Sequence, residues 1–337
     1  MLSAFIAGLA GAQLDAREAA LLRQTRPCGV ILFARNVESP EQVRRLVSDV
    51  RTAIGSDDLL VLIDQEGGRV QRLKPPHWRA LPPAAAYGRL YQRDQQGALA
   101  AARLAARLTA ADLSALGINT DCTPVLDVPV PGGHDVIGDR AYGSTPDQVC
   151  ALGRAVAEGF MDGGVLPVIK HIPGHGRATK DSHLELPVVN ASRADLKAND
   201  FAPFRALAGM PAAMTAHVVF TAIDAQAPAS TSARVTAEII RGAIGFDGLL
   251  MSDDLGMRAL TGTIAERAQA VLAAGSDLAL LCSGDLSDTE SVAGVVPSLQ
   301  GRALVRFANA CAVFRQQSTF DVAEAEARLG EVLRGLA

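Results

Sequence analysis

Aromatic side chains are scarce in this sequence: one Trp, three Tyr and ten Phe among 337 residues. Ala, Leu, Val and Gly dominate instead, a mixture that suits tight packing of helices on strands. Excess charge of one sign is missing too. A formal net charge of -4 leaves no basic stripe, which argues against nucleic acid as a partner. No apolar run approaches the roughly 18 residues of a membrane span. The apolar start, Met1 to Gly11, has no Lys or Arg before Arg17. A secretory leader begins with a positive region, so this stretch reads as a first core strand. The five Cys, at 28, 122, 150, 282 and 311, are odd in number and show no CxxC spacing. They read as core thiols in a reducing compartment, and the cytoplasm is the expected location. No GxGxxG follows the first strand, which weakens a dinucleotide-binding fold.

What is present is an ordinary globular mix, 49% hydrophobic and 20% charged, with short β-rich runs alternating with amphipathic segments. Eight runs read as strands: Ala4–Gly8, Gly29–Phe33, Leu59–Asp64, Ile118–Val125, Leu166–Lys170, Ala212–His217, Gly248–Ser252 and Asp277–Cys282. Most are continuously apolar, as parallel strands covered on both faces are. Helical spacing falls between them, at Ala98–Leu116, Pro146–Met161 and Ile264–Ala274. Ser39-Pro40 and Pro146 are helix-start signals. The stretch from Leu286 to Ala337 reads as helix with a turn near Ser318-Thr319. Eight alternations predict a single-domain (β/α)₈ TIM barrel over residues 1–337, with a doubly wound open sheet as the alternative. Residues 67–94, with Pro75-Pro76 and Pro82-Pro83, read as an excursion above the barrel.

Polar residues gather where the strands end, the place where barrels carry chemistry. Strand three runs into Asp64-Gln65-Glu66-Gly67-Gly68-Arg69, then Arg72. Asp127 and the turn Val136 to Arg140 follow strand four. Strand six ends in His217, and strand seven in Ser252-Asp253-Asp254. Strand five runs into Lys170-His171-Ile172-Pro173-Gly174-His175-Gly176-Arg177-Ala178-Thr179-Lys180-Asp181-Ser182-His183, 14 positions with three His, two Gly and a Pro. A helix rejects that Pro-Gly content.

Each group has a plain reading beside the functional one. Asp64 and Glu66 could simply pair with Arg69 and Arg72. Asp253 or Asp254 could cap the next helix. Adjacent strand residues face opposite ways, and periodicity does not say which of the two enters the lumen. The three His and Asp181 could be metal ligands, a structural loop or a proton-transfer group. HxxxH followed by DxH matches no familiar metal spacing, whereas a carboxylate two residues from His183 can fix its tautomer and stabilise its protonated form.

IDQEGGRVQR (63–72), IGDRAYG (137–143), KHIPGHGRATKDSH (170–183) and GFDGLLMSDDLGM (245–257) resemble, in that order, the motifs of glycoside hydrolase family 3. The nearest resemblance within it is to the single-domain bacterial β-N-acetylhexosaminidases of peptidoglycan recycling. It implies a TIM barrel with a catalytic loop after strand five, made mobile by Pro173-Gly174 and Gly176. It implies a cytoplasmic hydrolase, a monomer, with no cofactor, metal, nucleic acid or membrane partner. The implied substrate is a small carbohydrate, N-acetylglucosamine β-1,4-linked to 1,6-anhydro-N-acetylmuramic acid with or without peptide. The implied roles are Asp253 as nucleophile, His183 as acid/base with Asp181 as its partner, and Asp64, Arg72, Arg140, Lys170 and His171 as sugar-binding positions. Ile172 and Gly256 depart from the family's frequent Phe and Ser. Phosphorolysis, a metal-dependent hydrolase and a non-catalytic sugar-binding barrel are the alternatives to hydrolysis by this route.

Overall fold

The structure, a computed structural model, describes residues 1–315 and 319–334. Eight strands form a closed ring in chain order: β1 (Ser3–Gly8), β2 (Pro27–Leu32), β3 (Leu60–Ile63), β4 (Thr120–Asp121), β5 (Leu166–Ile172), β6 (Ala212–Thr215), β7 (Leu249–Asp254) and β8 (Leu278–Leu281). Every neighbouring pair is parallel, and β1 closes the ring on β8. The open-sheet alternative is thereby excluded, and the fold is a (β/α)₈ barrel.

Two-residue periodicity sorts the apolar strand residues into two clusters. Ala4, Ile6, Leu60, Leu62, Leu166, Val168, Leu249, Met251, Leu278 and Leu280 pack with one another inside the ring. Phe5, Ala7, Val61, Ile63, Ile169, Leu250, Ala279 and Leu281 face outward onto helix residues such as Leu46, Leu108, Val149 and Val271. At about 25 cal/mol per Å² of buried apolar surface, these two layers are the main source of stability. The lumen cluster continues into Phe307, Ala310 and Cys311, so the helix Gly301–Cys311 closes the N-terminal mouth. The segment before it is fastened to β1, with Ala4 N–H donating to Pro297 at 2.9 Å and Leu299 N–H to Leu2 at 2.7 Å. The polar strand ends are left at the opposite, open rim.

Helix starts follow their local chemistry. Ser39 accepts from Gln42 N–H at the head of the helix Pro40–Ile54, and Pro146 opens the helix Pro146–Asp162, where its missing N–H costs nothing. The helix expected over 98–116 runs Gln95–Ser114.

Two expectations are corrected. Strand four was expected to run through Val125, but regular pairing stops at Asp121 and resumes only as a bridge from Val125 to Lys170. Pro124 has no N–H to give a ladder. The C-terminal stretch is three helices, Leu286–Ala293, Gly301–Cys311 and Val322–Arg334, since Gly294 and Pro297 interrupt the first. Ser318, part of the expected turn, lies outside the described residues. The excursion after β3 follows an antiparallel pair, Gln65–Gly67 on Val70–Gln71, and contains the helix Ala84–Tyr91. Gly67 and Gly68 make the pair's turn at φ 97° and 57°, a region that favours glycine.

Candidate active site

Strand parity carries side chains from the core straight into a cavity at the open rim. Leu60 and Leu62 lead to Asp64, Leu166 and Val168 to Lys170, and Leu249 and Met251 to Asp253. The cavity has a volume of about 250 Å³, and Asp64, Glu66, Arg72, Arg140, Lys170, His171, His183 and Asp253 all line it. His171 would face away by simple alternation. The β5–β6 register shifts between Lys170 and Ile172, and such an irregularity re-aims a side chain, so Lys170 and His171 both reach the same space.

One wall is a chain of ion pairs. The Lys170 ammonium lies 2.9 Å from Asp64 Oδ1 and 2.6 Å from Glu66 Oε1. Arg72 reaches Asp64 Oδ2 at 3.0 Å. Arg140 grips Glu66 with Nε to Oε2 and Nη2 to Oε1, each 2.8 Å. Burial works to raise Asp64, but Lys170 and Arg72 outweigh it and hold the carboxyl far below its usual range. Glu66 is likewise held low, burial being overcome by Lys170 and Arg140. Burial would lower Lys170, and its two carboxylates raise it instead. All three groups are therefore charged, stiff and preorganised for hydroxyls. The plain ion-pair reading is right for Arg72 and wrong for Arg69, which turns away to Asp139 Oδ1 at 3.0 Å and to the carbonyls of Asp135, Val136 and Ile137.

The end of β7 resolves the Asp253–Asp254 ambiguity. Asp253 continues the lumen face, while Asp254 Oδ1 accepts from Gly256 N–H at 3.0 Å and Cys282 N–H at 2.9 Å, bracing β7 against β8. Their environments push the two carboxyls apart. Burial acts to raise Asp253, but the His171 and His217 imidazoles, the Asp254 N–H and His183 bring it below the usual range. Asp254 is raised, chiefly by burial. His217 is fully buried, with Nδ1 2.7 Å from Ser230 Oγ and Nε2 3.0 Å from the Asp254 carbonyl.

The loop after β5 lies across the rim. His171 Nδ1 is 2.6 Å from Asp127 Oδ2, and the His175 N–H donates to Asp127 Oδ1 at 2.6 Å. At the far end Asp181 Oδ1 lies 2.8 Å from His183 Nδ1 and accepts the His183 N–H at 2.9 Å. Burial would raise Asp181; the His183 backbone and ring overcome it and leave the carboxyl low. The His183 side chain is 63% exposed and lines the cavity. Gly176 passes so close to Val128 that a Cβ there would stand 2.1 Å from its carbonyl oxygen.

The eight residues singled out in the sequence thus come together, seven on the cavity wall and Asp181 behind His183. Four more residues that stand at the strand ends in the sequence, without an assigned role, lie within this constellation: Glu66, Asp127, His175 and His217. Two carried a further signal. Glu66 shares the parity of Asp64, and Asp127 is a charge inside the apolar run Val125 to Val130, which burial tolerates only when paired. The rings of His171 and His175 sit 5.8 Å apart on separate partners. Among the described residues no group of three or more His, Cys, Asp and Glu is arranged to hold a metal ion.

A buried carboxylate and an Asp-paired imidazole share a cavity walled with charged hydrogen-bonding groups, an arrangement that suits a glycosidase. The profile of the "Glycosyl hydrolase family 3 N terminal domain" matches residues 5–310, and the chain belongs to glycosyl hydrolase family 3. It is 43% identical over 287 residues to a β-hexosaminidase of Alkalilimnicola ehrlichii, covering 84% of this chain and 81% of that protein. NagZ from Neisseria gonorrhoeae superimposes with a TM-score of 0.86 at 33% identity, over 98% of both chains; it has also been solved in complex with N-trifluoroacetyl-D-glucosamine. A family 3 β-N-acetylglucosaminidase from Paenibacillus sp. str. FPU-7 matches with a TM-score of 0.80 at 31% identity. This chain covers 61% of that larger enzyme.

Proposed function

We propose that the protein is a retaining exo-β-N-acetylglucosaminidase. Its substrate in this reading is terminal N-acetylglucosamine β-1,4-linked to 1,6-anhydro-N-acetylmuramic acid, with or without peptide, as released in peptidoglycan recycling. The observation that carries the reading is the Asp181–His183 pair at 2.8 Å on the same cavity as the ionised Asp253. The β-hexosaminidase relatives and the N-trifluoroacetyl-D-glucosamine complex of NagZ support the sugar class.

In the first step an Asp253 carboxylate oxygen attacks the anomeric carbon. The bond to the leaving oxygen breaks as His183 gives that oxygen its proton, and a glycosyl ester on Asp253 remains. In the second step His183 takes a proton from water, the hydroxide adds to the anomeric carbon, and Asp253 leaves as carboxylate. Two inversions return the β sugar. Asp181 stabilises the imidazolium that opens the first step and is restored by the second; a positioned acid or base of this kind contributes about 10²- to 10⁴-fold. Asp64, Arg72, Arg140, Lys170 and His171 bind the sugar, whose reacting carbon is then already aligned. The five cysteines are unpaired, as suits a reducing compartment, and the reading places the enzyme in the cytoplasm. One chain supplies every group named, and the reading takes the acting unit to be a monomer.

A 2-fluoro sugar slows the second step and traps the ester. The expected result is a glycosyl mass increment on the peptide containing Asp253, mapped to that residue by fragmentation. An increment on Asp254 or Asp64 overturns the assignment.

A further inference from the structure

His175 is the imidazole of the β5 loop that the two-step mechanism leaves idle. It is 3% exposed. Burial pushes the ring down to about 4, against the pull of Asp127, so it is neutral. Nδ1 has no partner, and Nε2 lies 3.0 Å from Ser182 Oγ. A buried imidazole with one side-chain hydrogen bond depends on that bond, since burying an unmet polar group is costly. Ser182 is itself buried and directly precedes His183. Its carbonyl accepts from Ala259 N–H at 3.2 Å, and the His183 carbonyl from Arg258 N–H at 3.4 Å. Both donors follow β7, the strand that carries Asp253. At the other end, the His175 N–H shares Asp127 with His171 Nδ1.

We propose that His175 and Ser182 are positioning residues whose hydrogen bond fastens the far end of the loop, so that His183 stands over Asp253. Asp127 makes that fastening continuous with His171 on the cavity wall. The hydrogen-bonded path runs from His171 through Asp127, His175 and Ser182 to the segment after β7. The proposal rests on His183 being the acid/base. It adds that the loop holds His183 by a specific bond, so that losing the bond misplaces the proton donor without removing it.

The test compares kcat/KM on two substrates, a 4-nitrophenyl N-acetylglucosaminide, whose leaving group needs no proton, and an N-acetylglucosaminyl disaccharide, whose leaving group does. Ser182→Ala and His175→Leu are expected to lose about 10²-fold on the disaccharide, the scale of a 1 Å misplacement. The loss on the aryl glycoside is expected below about threefold, because its first step does not wait for the acid. His175→Gln, which keeps a donor near the Nε2 position, recovers most of the disaccharide activity. Amide exchange at Arg258 and Ala259 accelerates in Ser182→Ala. Equal losses on both substrates with unchanged exchange reduce the bond to a structural contact and overturn the proposal. Should His175→Leu fail to fold, Ser182→Ala, which removes one oxygen, still decides. His183→Ala run alongside separates the two ideas. If His183→Ala discriminates between the substrates and Ser182→Ala does not, the positioning role alone fails. If His183→Ala does not discriminate, the acid/base reading fails and the positioning role with it.

Discussion

Glu66 and Arg140, 74 residues apart in the chain, meet in a two-pronged ion pair with both contacts at 2.8 Å. Their side chains are 6% and 11% exposed. The pair joins the hairpin after β3 to the turn after β4, and through Lys170 it reaches β5. Removing one member of such an enclosed pair strands the other's charge, at about 3–5 kcal/mol.

Glu66→Ala is accordingly expected to lower stability by about 3–5 kcal/mol in urea unfolding and to raise KM, because Arg140 and Lys170 lose the group that aims them. Asp64 and Glu66 are held low in the fold. Their contribution is therefore full above the unfolded carboxylate value of about 4 and is lost as pH falls below it. Glu66→Gln should unfold less steeply with acid than the parent protein. A variant with parental stability and an unchanged acid profile would mean that the pair is inert.

Asp253→Ala should abolish turnover of aryl glycosides and disaccharides alike, since both need the nucleophile. His183→Ala should cut kcat/KM on a disaccharide by about 10²-fold or more and on a 4-nitrophenyl glycoside far less. Kinetics on the two substrates check this; equal losses in His183→Ala would remove it as the acid. In phosphate buffer the expected product is free sugar, and sugar-1-phosphate would show that phosphate takes the place of water.

In the proposed mechanism Asp253 must be ionised to attack. Burial acts to raise it, and His171 comes first among the groups that bring it below the ordinary value. The acidic limb of kcat/KM should therefore lie below about pH 4. In His171→Asn the carboxyl rises and the limb moves to higher pH. A pH profile on the aryl glycoside measures both, and a limb that stays put or moves the other way would show that His171 does not govern Asp253.

Gly176→Ala places a methyl 2.1 Å from the Val128 carbonyl oxygen, and backbone must yield. The expected cost is about 1–3 kcal/mol, typical of overpacking, together with a selective loss on disaccharides as the loop lifts. A thermal melt and the two-substrate comparison test it; parental values in both would show that the loop absorbs the methyl.

The eight strands, their parallel α/β class and the rim at which polar residues collect follow from local rules that the chain carries in itself, whereas closure of the sheet was decided by the pairing of β1 with β8. Runs of five to eight residues between amphipathic segments predict parallel strands covered by helices, as a barrel or as an open sheet. Strand parity groups Asp64 with Leu60 and Leu62, Lys170 with Leu166 and Val168, and Asp253 with Leu249 and Met251, but only the packed barrel shows that this face of each strand is the lumen. Parity fails at His171, which a register shift turns inward, and the run through Pro124 looked more continuous than its hydrogen bonding allows.

The partners of these groups were decided by tertiary structure. Arg69 and Arg72 stand three residues apart beside the same two carboxylates, yet only Arg72 pairs there. The turn at Gly67 and Gly68 sends Arg69 toward Asp139, and Arg140 arrives from another strand's loop to take Glu66. His175 and Ser182 carry no sequence signal of a bond, because their contact depends on how a 14-residue loop folds back over the barrel. Residue type and two-residue periodicity are local properties that a sequence carries. Which charge meets which, and which imidazole is kept neutral, depends on distances and burial that exist only once the eight strands have closed.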